Sequence, residues 1–225
     1  MKYSKVLPCY YVPICLYPKS VYKSETSLDI LATKYINNSS KTLILICDYL
    51  SAYNSIIMGS AMSFEHALFK TRHESSYMLQ LFGNMSQRHN ITLDIRMWGQ
   101  FYQDPRFRMH LKRMKKLIKS SVEFENSLHS FISEHLKSMR CNVYKSTYKW
   151  EERYVTEEIA MSTYITEILG YSLELWEDYY KSENILVDPI AYLYSTFKDS
   201  LLEVLSKQTL ERKLIYFNKT YNQRL

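Results

Sequence analysis

Three groups of side chains in this sequence have types and spacing that could do chemistry. Cys15 follows a run of aromatic and β-branched residues, YYVPICL from Tyr10 to Leu16, which reads as a strand buried on both faces. A thiolate at the carboxyl end of such a strand is placed to attack an ester, while a cysteine buried as a small apolar residue is the ordinary alternative. Tyr164 and Glu167, three residues apart on a helix, share a face, which suits two groups gripping an ammonium ion. A core tyrosine beside an exposed acid gives the same spacing. The third group is electrostatic. In RFRMHLKRMKKLIK the cations Arg106, Arg108, Lys112, Arg113, Lys115, Lys116 and Lys119 occur without one acid between Pro105 and Val122. Like charges at i,i+3 and i,i+4 on a helix repel by a few tenths of a kcal/mol per pair, so folding alone gives no reason to concentrate them. A phosphate backbone would relieve the repulsion. A solvated helix face whose charges pair with acids elsewhere explains the run equally well.

The elements that must position these groups follow from hydrophobic spacing. After the Tyr10–Leu16 strand, SLDILATKYI predicts a helix over 27–36, and TLILICD predicts a second strand ending in Asp48. Strand, helix, strand is the βαβ unit of a parallel sheet, whose ligands sit at the carboxyl ends of the strands. Residues 63–82 trace a helix capped by Ser63, and ITLDIRMW over 91–98 alternates like a third strand. Asp104 and Pro105 supply an N-cap and a first-turn proline for the basic helix. A second helix carries Phe124, Leu128, Phe131, Ile132 and His135 on its inner side. Beyond it we expect a short strand over 142–147, a helix over 156–175, a final strand over 185–195 interrupted by Pro189, and a helix over 196–214.

Composition limits what these elements can add up to. With 225 residues, 46% apolar and 23% charged, the chain is a folding globular protein, expected to be one α/β domain over residues 1–225. Only 4 glycines are present and neither GxGxxG nor GxxxxGK[ST] occurs, so a Gly-rich phosphate cradle is excluded. The net charge of +6 permits a polyanionic partner without requiring one. Cys9, Cys15, Cys47 and Cys141 have no CxxC or Cys/His ligand spacing, which points to reduced thiols in a cytoplasm and to no metal site. His66 and His73, and His110, His129 and His135 on amphipathic helices, are read as non-ligands. No apolar stretch approaches the roughly 20 residues that span a bilayer. No Ser sits in a G-x-S-x-G elbow.

Several segments in this order resemble the cyclodipeptide synthases, aminoacyl-tRNA-dependent enzymes. Asp48, Ser51, Ala52, Tyr53, Gly59, Ala67 and Lys70 in CDYLSAYNSIIMGSAMSFEHALFKTR look like the family's strand-acid-S/A-Y-x-x-x-x-x-G block, and MWGQFYQDPRFRMHL followed by SSVEFENSL is similar to its acid-Pro-x-Tyr/Phe-Arg helix and Phe-containing second helix. The likeness extends over about residues 10–195. It implies a single Rossmann-type domain with a mostly parallel sheet flanked by helices, similar to the class I tyrosyl- and tryptophanyl-tRNA synthetase catalytic domain. The implied reaction transfers an aminoacyl group from tRNA to an enzyme nucleophile; a second aminoacyl-tRNA provides the attacking amine, and ring closure releases a 2,5-diketopiperazine. Since the ester is already activated, neither cofactor nor metal is implied.

By this resemblance Cys15 falls nearest the family's nucleophilic serine, with both glycines of its G-x-S-x-G-N-like turn replaced, and Ser20 further along the turn competes for the role. The family's ammonium-holding Tyr-x-x-x-Glu resembles Tyr164 onward, with Ile168 at the glutamate position and Glu167 one residue earlier, about 100° around the helix. Tyr194 corresponds to the tyrosine of the final strand. Asp48 and Tyr53, with Ser20, are the implied substrate-binding residues, and the basic helix from Arg106 to Lys119 is the implied tRNA contact. A tRNA- or RNA-binding relative without the chemistry, and a transferase passing one aminoacyl group to another amine, are the alternative functions.

Overall fold

A computed structural model describes residues 7–16, 21–120, 122–138, 145–171, 173–177 and 211–215. Strands β1 (Cys9–Ile14), β2 (Lys41–Ile46), β3 (Asp94–Met97), β4 (Leu173–Glu177) and β5 (Glu211–Ile215) form one parallel sheet in the order β3-β2-β1-β4-β5. Chain order reverses at β1: β2 and β3 are laid on one side of it, β4 and β5 on the other. Open α/β sheets bind ligands in the crevice beyond the carboxyl ends of the strands at such a reversal. The residue that leaves β1 there is Cys15.

Side-chain alternation along the central strands divides the core into two layers. Tyr10, Val12, Ile14, Ile44 and Ile46 pack under α1 (Glu25–Lys34) and α3 (Phe64–His89). Tyr11, Leu43, Leu45 and Cys47 face the opposite way, toward α2 (Asp48–Ile57), the short α4 (Trp98–Phe101), α5 (Pro105–Ser120), α6 (Val122–Ser138) and α7 (Lys145–Glu167). α7 is the central helix of that layer, buried on every side from Val155 to Thr166. Its direction is fixed at its end, where Lys41 Nζ at the start of β2 donates to the Leu169 carbonyl at 2.7 Å. The carboxyl end of α7 therefore lies at the amino edge of the sheet, and its first half lies near the carboxyl edge.

Helix signals read from local sequence hold well. Ser63 Oγ accepts the His66 N–H at 3.2 Å, and α3 runs on to Asn90, which closes it in the left-handed conformation at φ 50°. Asp104 Oδ1 accepts the Arg106 N–H at 2.8 Å ahead of Pro105. Several expectations need correction. Asp48 does not end a strand but opens α2, and Trp98 opens α4 instead of closing β3. The helix expected over 156–175 starts at Lys145 and ends at Glu167, so Lys145–Thr147 are helical and not strand. Gly170, at φ 71°, turns the chain into β4, whose first three residues, Leu173–Leu175, fall within the expected helix. Residues 211–214, expected to be helical, belong to β5. Each run is only five residues long, too short for its own pattern to outweigh that of the flanking sequence. The strand expected over 185–195 lies outside the described residues.

Candidate active site

Cys15 and Cys47 meet where β1 and β2 end. The strands pair Ile14 with Ile46, and the Cys47 N–H donates to the Ile14 carbonyl at 2.9 Å, so the two cysteines follow as the next residue on each strand. By alternation both side chains leave the sheet toward α7. The Cys47 thiol donates to the Leu45 carbonyl at 3.6 Å, and Cys15 and the carboxylates of Glu158 and Asp48 act on it electrostatically. Burial, then Cys15, Glu158 and Asp48, push the Cys47 thiol well up, so it stays protonated. Cys47 is 1% exposed and Cys15 8%, which leaves Cys15 as the more reachable sulfur. Ser51 on α2 holds the turn that carries it, its Oγ accepting the Leu16 N–H at 3.1 Å.

Glu158 was not among the sequence candidates. It sits on the half of α7 nearest the carboxyl edge, buried to 6% exposure, four residues after the half-buried Tyr154. Residues at i and i+4 share a helix face. Tyr154-Val155-Thr156-Glu157-Glu158 therefore has the Tyr-x-x-x-Glu spacing in full, and that spacing is the signal by which the sequence could have yielded it.

Tyr164 and Glu167 are carried away from the thiols. Ten residues of helix separate Tyr154 from Tyr164, about 15 Å of rise toward the amino edge of the sheet. There the Tyr164 hydroxyl donates to Asp104 Oδ2 at 2.7 Å, among Phe101, Phe107 and His110. Burial and the Asp104 charge push its phenol up to about 12, while Arg106 and then Tyr164 hold Asp104 down to about 2. Glu167 shares a face with Tyr164 as expected, but burial pushes its carboxyl above the usual range and Arg113 opposes the rise. The pair does not converge with Cys15, because α7 runs antiparallel to β1 and its last turn ends beside Lys41. Ser20 and Tyr194 lie outside the described residues.

Asp48 and Tyr53 are at the mouth, engaged with protein groups. Asp48 Oδ1 accepts the Gly99 N–H at 3.1 Å, and backbone donors from Gly99, Tyr49 and Trp98 offset part of the rise that burial imposes on its carboxyl. Its position joins α2 to α4. A Cβ on Gly99 would stand 2.6 Å from Tyr49 Cε2, so a glycine is needed for that approach. The Tyr53 hydroxyl donates to Glu157 Oε2 at 2.8 Å, the Tyr102 hydroxyl donates to the same oxygen, and Arg153 Nε donates to Oε1 at 2.9 Å. Burial first, then the Glu157 charge, raise both phenols, so they serve as donors and do not ionise. The Arg153 guanidinium also covers the rings of Tyr53, Phe64 and Trp150. This fully paired buried carboxylate fastens α7 to α2 beside the thiols.

The basic run forms α5 as expected, with Phe107, Leu111, Met114 and Ile118 inward. Arg106 is tied to Asp104 at 3.1 Å, and Arg108 donates to the carbonyls of Tyr102 and Gln103. Lys112, Arg113, Lys115, Lys116 and Lys119 are exposed. Among the described residues no group of three or more His, Cys, Asp or Glu side chains could hold a metal ion, and no helix is long and apolar enough to cross a membrane.

No protein-family model matches the sequence, and no curated protein matches it either. Solved structures do. The chain is similar to a CDPS, or cyclodipeptide synthase, from Fluoribacter dumoffii, with TM-score 0.66 and 16% identity over 95% of this chain and 92% of that one. It is similar to the Mycobacterium tuberculosis protein Rv2275, whose description relates cyclodipeptide synthetases to type I tRNA synthetases, with TM-score 0.60 and 14% identity over 76% of this chain and 72% of that one. A cyclodipeptide synthase from Candidatus Glomeribacter gigasporarum, bound to Phe-tRNAPhe, matches with TM-score 0.56 and 14% identity over 93% of this chain and 87% of that one.

Proposed function

We propose, for a chain that shares the cyclodipeptide-synthase fold, that it is an aminoacyl-tRNA-dependent cyclodipeptide synthase with a cysteine nucleophile. The observation that carries the reading is the meeting of Cys15 with Cys47 and Glu158 at the carboxyl ends of β1 and β2, where the strand order reverses. Cys15 would attack the ester carbonyl of an aminoacyl-tRNA; the ribose oxygen leaves with a proton, and a thioester remains. Tyr154 and Glu158 would hold the α-ammonium, as the family's Tyr-x-x-x-Glu does. The amine of a second aminoacyl-tRNA then attacks the thioester, returning the thiol and leaving a dipeptidyl-tRNA. Attack of the first residue's free amine on the remaining ester closes the ring and releases tRNA. Each ester or thioester is cleaved as an amide or thioester forms, so no external energy source enters.

The departure from the family lies at the nucleophile: a thiol on a turn without glycines. A thiol carries an acyl group as a thioester, which an amine attacks readily, so the substitution preserves the reaction type. The exposed cations of α5 are the proposed tRNA contact, since a row of five on one helix suits a backbone of phosphates.

The test is incubation of the protein with charged total tRNA, followed by mass spectrometry for a diketopiperazine and for an acyl adduct on the peptide holding Cys15. Folded protein that yields neither product nor adduct, yet binds tRNA, would establish the non-catalytic RNA-binding alternative. An adduct that is passed to added amines without cyclic product would establish the single-transfer alternative.

A further inference from the structure

A cavity of about 580 Å³ opens between α5, α6 and α7, away from the thiols. Thr156 lines it, and Glu158, two residues on, projects about 160° away around α7, so cavity and thiols lie on different faces of the same helix. Its volume falls in the range of small-molecule sites, roughly 300–1,000 Å³. Cations enter from two helices: Lys115 and Lys119, four apart on α5, and Lys149 and Arg153, four apart on α7. Among the described residues Lys115, Lys119 and Lys149 make no ion pair, and Glu125 and Glu152, which also line the cavity, pair with none of the four cations. Ile118 and Leu128 supply an apolar floor, and the rings of Trp150 and His129 supply flat walls. With Arg153 already paired to Glu157, the three lysines outnumber the two carboxylates of the lining, and a bound anion would relieve their mutual repulsion.

We propose that this cavity binds a nucleoside phosphate, with the phosphate between the lysines of α5 and Lys149 and Arg153 of α7 and the base against Trp150 and His129. Cations with flat ring walls select an anion that also has a π-face, which inorganic phosphate lacks and a nucleoside only half satisfies. The same chemistry is offered by a free mononucleotide and by an unpaired nucleotide of an RNA.

Isothermal titration calorimetry of the full chain with CMP, AMP, cytidine and inorganic phosphate tests it. Both nucleotides are expected to bind at least tenfold more tightly than cytidine or phosphate. The double change Lys115→Glu/Lys119→Glu, and Lys149→Glu alone, should each weaken CMP at least tenfold, whereas Arg72→Glu, an exposed cation on α3 across the sheet, should change it less than twofold. Lys115→Gln/Lys119→Gln, which avoids charge reversal, keeps the test valid where the glutamates impair folding. A CCA trinucleotide binding tenfold more tightly than CMP assigns the site to an RNA end, and equal affinities assign it to a free nucleotide. No heat from either nucleotide at millimolar concentration, or equal losses from Arg72→Glu, overturns the inference. The titrations use no charged tRNA and should be unaffected by Cys15→Ala, so their outcome is independent of whether the protein makes a cyclodipeptide.

Discussion

Cys15 and Cys47 stand side by side at the carboxyl ends of adjacent parallel strands, one residue beyond the paired Ile14 and Ile46. The two thiols are not equivalent. Cys47 belongs to the apolar core under α7 and is held protonated, while Cys15 is on the turn fixed by Ser51 and keeps the larger exposure. Cys15→Ala is expected to abolish the acyl adduct at a stability cost of about 1 kcal/mol, that of a small buried side chain. Cys47→Ala should cost about 1–2 kcal/mol of stability, the transfer and cavity terms of a small buried side chain, and leave the adduct on Cys15. An adduct found on Cys47 instead would reverse the assignment.

The two glutamates of α7 offer a matched comparison. Glu158 acts on the Cys47 thiol, and Glu167 sits nine residues on, near Arg113. A hydrogen bond to a charged group contributes about 1.5–3 kcal/mol, so Glu158→Gln should lower turnover by about 10- to 100-fold if it holds an ammonium. Tyr154→Phe should lower it in the same direction by a smaller factor. Glu167→Gln should change turnover less than threefold. Steady-state diketopiperazine formation by the three variants decides the matter, and a large loss at Glu167 with none at Glu158 returns the ammonium site to the other end of the helix.

For the basic helix the informative quantity is a slope. Reversing Lys112, Arg113, Lys115 and Lys116 should weaken tRNA binding and flatten the plot of log K against log salt by about one unit per lost phosphate contact. A solvated face gives the same affinity and slope before and after. The measurement is a filter-binding series from low to physiological salt.

A pH dependence follows from His110, buried against Thr163 with its ring nitrogen 2.7 Å from Oγ1. Burial, and then the charge of Arg113, lower its ionisation to about 4 from the usual 6.5. Below 6.5 the unfolded chain takes up a proton that the folded one refuses, so stability falls as pH drops from about 6.5 to 4 and levels off below. The loss is on the order of 2–3 kcal/mol. Urea midpoints across this range should show it, and His110→Gln should remove that component of the slope.

Where a residue's role depends on its own turn of chain, the sequence was sufficient: Ser63 and Asp104 cap their helices, the hydrophobic spacing of α5 turned Phe107 and Met114 inward, and the βαβ order placed Cys15 at a strand's carboxyl end. These follow from hydrogen bonds and periodicities that reach only three or four residues. The register of α7 was beyond that reach. Tyrosine–acid spacings recur along one helix, Tyr148 with Glu152, Tyr154 with Glu158 and Tyr164 with Glu167, and local pattern cannot rank them. Only the direction of α7 across the sheet, fixed by Gly170 and by Lys41 at its end, decides which acid acts on Cys47. The partnership of Cys15 with Cys47 was likewise hidden, because they are 32 positions apart and parallel strand pairing, which brings them together, is a long-range contact with no local signature.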